Sequence, residues 1–268
     1  MSLRHTPLRR RAVSSAEPSG WSQVTPGVGR DRSGGRHDPP VCTVVVRWSA
    51  ERPAQILALR DELTTRHFDD PGPWWPEHPG VVGGRDRAAG GTWCATSVET
   101  GTTALVLNRP EKRQGDPGAA SRGVLPLLGV TLGGDWPSAL PLDGMASFTL
   151  VLVTEQQLTT WLFDGERLTS ADHPHGTHVV TSGGPEDRKA DRWLARFAAT
   201  DFPDGWRALV EAAPPADDPA ALVVRHEEEG LVYATVFGEL IDAVPGRLHL
   251  EYSRRPWEPD AWTDVVLT

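Results

Sequence analysis

The stretch HDPPVCTVVVRW, residues 37–48, is where this chain changes character. Cys42, Val44, Val46 and Trp48 would share one face of a strand and Val45 the other, so both faces read as buried. Upstream, residues 1–41 are rich in Arg, Ser, Gly and Pro and poor in aliphatic side chains. Such a segment buries too little apolar surface to offset the entropy of ordering, and disorder is expected there. It lacks the apolar stretch of a secretory signal. Its Arg-rich opening has the look of an organelle transit peptide, but acids return at Glu17 and Asp31.

An ordered strand that starts on a cysteine has two readings. In one, Cys42 is a small core residue, the common fate of a free cysteine. In the other, residues 1–41 are absent from the working protein, as a removed leader or a start-site artefact, and Cys42 is its first residue. Val41 offers a route, because valine is the face-value translation of a GTG start codon and a methionine before cysteine is normally trimmed. An exposed α-amine, with an ordinary pKa of roughly 7.7–8.0, would then serve the thiol as its own base.

Composition narrows the function. A chain of 268 residues can bury one large core or two small ones. Its net charge of -9 argues against nucleic acid as a partner, since phosphate contacts need clustered Lys and Arg. No apolar run approaches the roughly 18 residues that suggest a membrane span. Two cysteines, Cys42 and Cys94, are too few for a disulfide framework, which places the protein by default in a reducing cytoplasm. Several tryptophans stand beside prolines (Trp74, Trp75, Trp136, Trp257), where a large ring can pin a turn.

Beyond Cys42, QILALRDEL fits a helix or a strand entering a charged turn. A Pro- and Trp-rich loop is expected over 69–91. TWCATSVETGTTALVLNRP reads as a hairpin around ETGT, stopped by Pro110. SRGVLPLLGVTL is expected to be a short helical piece interrupted at Pro126. SFTLVLVT and TTWLFDGERL read as strands. After THVVTSGG a helix is expected, with Pro185 at its first position and Glu186 and Asp187 complementing its dipole. Its apolar stripe is Ala190, Trp193, Leu194, Phe197 and Ala198. A short helix at DGWRALVEA and strands ALVVRH, LVYATVF and RLHLEYS complete an α+β chain with a large antiparallel component. No internal repeat and no second domain boundary are visible in 42–268.

Five motifs stand in order: VCTVVVRW, LRDE at 59–62, GGTWCATS at 90–97, LNRP at 107–110 and SRG at 121–123. Together they resemble the NRDE family, the transport and Golgi organisation protein two-like proteins, over essentially everything from Cys42 onward. The resemblance implies an N-terminal-nucleophile hydrolase-like fold, a four-layer αββα sandwich of two antiparallel sheets. It also makes QILALRDEL a strand running into a turn. By the same resemblance Cys42 matches the nucleophile, Arg60 and Asp61 the pair beside it, and Asn108 an oxyanion-site amide. Leu59 departs from the family's usual Asn, and Ser182 and Gly183 stand where thiol hydrolases carry a second Asn. Cys94 falls at a normally apolar position and is expected in the core. A late basic residue has Arg247, Arg254 and Arg255 as candidates.

The physics suits those roles: a guanidinium near sulfur favours thiolate, a carboxylate can hold an ammonium, and an amide N–H can stabilise an oxyanion. Against them stands a plain reading of Arg60, Asp61 and Glu62 as a solvated turn, and of Gly90, Gly91 and Thr92 as a tight turn that lets Trp93 pack. HPHGTH at 173–178 has no standard metal spacing and reads as a surface loop. No cofactor and no metal is assigned. The family has been connected with Golgi organisation, lipid and acyl-CoA metabolism, and haem mobilisation. Three functions therefore follow from the resemblance. The first is a cysteine amidohydrolase or acyltransferase for a small amide. The second is a carrier of haem or an acyl-CoA-type metabolite, with the Trp74–Trp75 loop as a lid. The third is a trafficking scaffold.

Overall fold

In the computed structural model, which describes residues 42–112, 114–184 and 187–265, strand β1 (Thr43–Ser49) pairs antiparallel with β2 (Arg52–Leu63). Both faces of β1 are buried, as its sequence requires: Val44, Val46 and Trp48 enter one core and Val45 another. β2 does not end in a charged turn. Arg60, Asp61 and Glu62 lie inside the strand, and Arg60 and Asp61 are buried. Residues 1–41 lie outside the described residues.

The Pro- and Trp-rich segment expected to be a loop contains β3 (Phe68–Gly72) and β4 (Val81–Asp86). Pro71 is accommodated because β3 is an edge strand whose pairing is irregular between Asp69 and Gly72. The expected hairpin is present as β5 (Cys94–Ser97) and β6 (Thr103–Asn108), with Gly101 at φ 67° in its turn. After a 3-10 turn at Arg122–Val124 comes α1 (Leu125–Leu132). Pro126 sits in its first turn, where a missing N–H costs nothing, so it starts the helix and does not interrupt it.

β7 (Phe148–Val153) and β8 (Leu158–Phe163) follow. TTWLFDGERL is not one strand: the Asp164 carboxylate accepts from the amides of Glu166 and Arg167, turning the chain into β9 (Leu168–His173). β10 (Gly176–Thr181) leads to α2 (Arg188–Ala199), which starts later than expected, with Asp187 as N-cap accepting from the Lys189 amide. Pro185 and Glu186 lie outside the described residues. α3 (Asp204–Glu211) falls where the sequence places it. The last strands are β11 (Arg225–Glu228), β12 (Leu231–Val244), β13 (Arg247–Ser253) and β14 (Thr263–Asp264). Most of ALVVRH precedes β11 and is irregular.

These strands form two antiparallel seven-stranded sheets, ordered β10-β1-β2-β12-β13-β14, with β11 on β12, and β3-β4-β5-β6-β7-β8-β9. Three cores define the layers. Ile56, Ala58 and Ile241 of the first sheet meet Val82, Leu105, Leu107 and Val151 of the second between the sheets. α1 covers the second sheet's outer face through Leu125, Leu127 and Val130. α2 and α3 cover the first sheet through Trp193, Phe197, Trp206 and Val210 against Val45, Leu57, Leu59 and Leu240. This is an α+β sandwich.

On α2 the expected stripe is only half right. Trp193 and Phe197 are buried, but Leu194 is 40% exposed, and the third buried position is Lys189. Trp75, proposed as part of a lid, is a core residue that donates its ring N–H to the Gly90 carbonyl, while Trp74 stacks on the Arg85 guanidinium.

Two of the glycine motifs are explained by one contact. The Thr92 amide donates to the Gly123 carbonyl, and a Cβ on Gly91 would lie 2.5 Å from the Gly123 carbonyl carbon. Backbone meets backbone there, with no side chain free to swing away. We expect Gly91→Ala to cost about 1–3 kcal/mol in denaturant unfolding, the range of overpacking. Unchanged stability would show that the two loops separate readily.

Candidate active site

Cys42 immediately precedes β1, and its sulfur is held by the backbone of Asp61. Sγ accepts from the Asp61 N–H at 3.3 Å and lies 3.4 Å from the Asp61 carbonyl oxygen. The β1–β2 register, with Thr43 opposite Leu59, brings them together.

The same stretch of β2 is polar on both faces. Alternation sends Arg60 and Glu62 toward the second sheet and Asp61 toward the helices. Opposite them β12 carries a bulge, its pairing shifting between Thr235 and Phe237. Residues Phe237, Glu239 and Ile241 point between the sheets, and the extra residue turns Thr235 to the helix side. There its hydroxyl donates to Asp61 Oδ1 at 2.6 Å, and Lys189 Nζ of α2 lies 3.5 Å from Oδ2, both side chains fully buried. Burial raises the Asp61 pKa; Lys189 and the Thr235 hydroxyl oppose that rise.

On the inner face Arg60 ion-pairs with Glu62 at 3.3 Å and Asp86 at 3.6 Å, and its guanidinium lies over Trp93 and Phe68. Arg66 bonds Asp86 at 2.6 Å and approaches Glu62 at 3.7 Å. Burial lowers the Arg60 pKa despite those carboxylates. Trp93 does more than pack in a turn: its ring N–H donates to Glu239 at 3.2 Å, deep in the sandwich. Burial lifts the Glu239 pKa to about 7, against the hydrogen bonds of Trp93 and Cys94. Cys94 is buried beside it, in the core as expected.

These groups line a cavity of about 130 Å³. Cys42, Arg60, Asp61, Glu62, Arg66 and Asp86 form one side, and Trp93, Asn108 at the end of β6, and Ser121–Gly123 the other. Five stretches distant in sequence thus converge on one sulfur. These are the five motifs of the sequence, and the family model for Transport and Golgi organisation 2 matches residues 41–195. The chain belongs to that family. Among curated proteins, none matches it. The family match reaches into α2 and includes Lys189, whereas Thr235 and Glu239 lie beyond it.

All four residues expected at the site of this Transport and Golgi organisation 2 family member line one cavity. The Asp61 carboxylate is engaged by Thr235 and Lys189 on the helix side. Burial pushes Cys42 up to about 11 and the Asp61 charge adds to that; the Asp61 amide and Arg60 lower it, as expected of a guanidinium near sulfur, but do not cancel the rise. Arg247, Arg254 and Arg255 are absent from the cavity, engaging Asp242, Asp70 and Glu258. The cations that line it are Arg60, Arg66 and Arg122, and Lys189 stands behind on Asp61. HPHGTH is mostly strand, with His173 closing β9 and His178 in β10; His173 meets Thr160 and His178 the Pro174 carbonyl.

Lys189 is invisible to pattern reading because a lysine on a helix is ordinarily solvated. We expect Lys189→Met to cost about 3–5 kcal/mol, leaving the Asp61 charge uncompensated. The double variant with Asp61→Asn should lose less than the two singles added together. Additivity in urea unfolding would show that the pair does not interact. Glu239 makes a pH prediction. Its folded pKa of about 7 exceeds the ordinary 4.5, so its contribution is fully present below about 4.5 and is lost as pH rises through 7. Glu239→Gln should therefore match wild type near pH 4 and exceed it at pH 8 by on the order of 3 kcal/mol. A pH-independent difference between the two would contradict the assignment.

Proposed function

We propose that this protein has an N-terminal-nucleophile hydrolase-like fold and is a cysteine amidohydrolase or acyltransferase for a small amide, with a working chain that begins at Cys42. The observation that carries the reading is the Cys42 sulfur, held by the Asp61 amide on the wall of a polar cavity that Arg60 and Asn108 also line. A cavity of about 130 Å³ beside the sulfur suits a small polar acyl group. Two free thiols fit a reducing cytoplasm.

A thiol held near 11 is almost wholly protonated at neutral pH, so attack needs a base. An unblocked α-amine on Cys42, with an ordinary pKa of roughly 7.7–8.0, meets that need from the same residue. The thiol proton passes to the amine as sulfur bonds to the substrate carbonyl carbon, and the carbonyl becomes an oxyanion that the Asn108 amide can face. Collapse breaks the C–N bond, and the proton leaves on the departing nitrogen. Water, or an amine in the acyltransferase, then cleaves the thioester and frees the sulfur. Arg60 holds positive charge beside the sulfur, and the buried Asp61–Lys189 pair fixes the backbone on which it rests.

Intact mass of the native protein should correspond to a chain starting at Cys42. That chain should form a covalent adduct with an electrophilic acyl probe, its rate rising with pH through roughly 8, the range of an α-amine. Cys42→Ser should abolish the adduct. A mature chain that retains residue 41, or labelling that increases only toward pH 11, would remove the mechanism.

A further inference from the structure

Three cations, Arg60, Arg66 and Arg122, and three carboxylates, Asp61, Glu62 and Asp86, line the cavity, but Asp61 is committed to Lys189 behind the wall, so one cation is left over. Arg60 and Arg66 share Glu62 and Asp86. Asp61 is taken by Lys189 and Thr235. That leaves Arg122, which makes no ion pair among the described residues; its Nη1 donates to the Ser147 carbonyl at 2.8 Å. It is half-buried and lines the wall with Cys42, near enough to feel the charges of the thiolate, Glu62 and Arg66. A guanidinium with unused donors and no carboxylate of its own, on the wall that carries Cys42, describes a site made for an oxyanion.

Arg122 is also held still. Its neighbour Ser121 accepts from the Gly123 amide, and Gly123 packs backbone-to-backbone on Gly91 and Thr92. A guanidinium mounted on such a locked turn loses little freedom on binding. The cavity of about 130 Å³ has room for a small carboxylate-bearing acyl group beside Cys42.

We propose that Arg122 is the specificity residue of this cavity and docks a carboxylate on the substrate, so that Cys42 acts on small amides of carboxylate-bearing acyl groups. This rests on the hydrolase reading above, but anion recognition can be measured without turnover. Iodoacetate and iodoacetamide are nearly isosteric thiol reagents that differ by one carboxylate. On the full chain, modification of Cys42 is followed by peptide mass, and the iodoacetate-to-iodoacetamide rate ratio is divided by that of free cysteine. Thiol burial and pKa affect both reagents and largely cancel.

The expected ratio exceeds that of free cysteine by about tenfold, the size of one charge-assisted hydrogen bond. It should fall toward the free-cysteine value in Arg122→Gln and be partly retained in Arg122→Lys. A wild-type ratio equal to that of free cysteine, or one that Arg122→Gln leaves unchanged, overturns the proposal. Should Arg122→Gln not fold, thermal protection of the wild type decides: malonate should raise Tm at matched ionic strength where malonamide does not. Equal effects of the two overturn it. A wild type that forms the acyl adduct but shows no anion preference sinks the role of Arg122 alone. An anion preference without any acyl adduct sinks the hydrolase and leaves an oxyanion site.

Discussion

The buried contact between Asp61 and Lys189 is the constraint on which the site depends. It joins the middle strands of one sheet to α2, with the Thr235 hydroxyl completing the set from β12. A buried ion pair contributes little net stability, because desolvation offsets most of the attraction. Its effect is on position: an unpaired charge there is so costly that strand register and helix placement are held together. The Asp61 backbone carries the Cys42 sulfur, so a pair on the outer face of the sheet sets the location of that sulfur on the inner face.

The inner face is the complement. Arg60 lies over Trp93 and Phe68, Phe237 closes the aromatic cluster, and Trp93 bonds Glu239. A strip of charge thus runs into an otherwise apolar core, carried by aromatic rings that accept cations on their faces and offer N–H at their edges. A sandwich evolved for stability alone would fill this space with aliphatic groups, as Val44, Val46 and Val151 do nearby.

Where the sequence was legible, one local signal spoke without competition. β1 shows its two buried faces in its own alternation, the β5–β6 hairpin is set by its turn, and α3 by spacing. Where it misled, a tertiary partner outweighed a local rule. Three prolines and two tryptophans read as loop over 71–76, yet the same segment begins with an edge strand that tolerates proline. Arg-Asp-Glu reads as a solvated turn, yet each side chain has its charge met from another element. Leu194 has the better claim to burial than Lys189 by hydropathy, but only Lys189 finds an acid beneath it.

Sequence alone therefore determined the elements with self-contained patterns, the family, and four of the residues that line the cavity, Cys42, Arg60, Asp61 and Asn108, because each motif is a short-range feature. What those residues do to one another was decided only in three dimensions. How far Arg60 activates the thiol depends on burial, which here outweighs it; what cation the Asp61 carboxylate holds depends on a lysine 128 positions away in the chain; and the unbalanced charge of Arg122 exists only relative to carboxylates brought close by other strands. Charge balance and desolvation are sums over neighbours, and neighbours are what a chain acquires by folding.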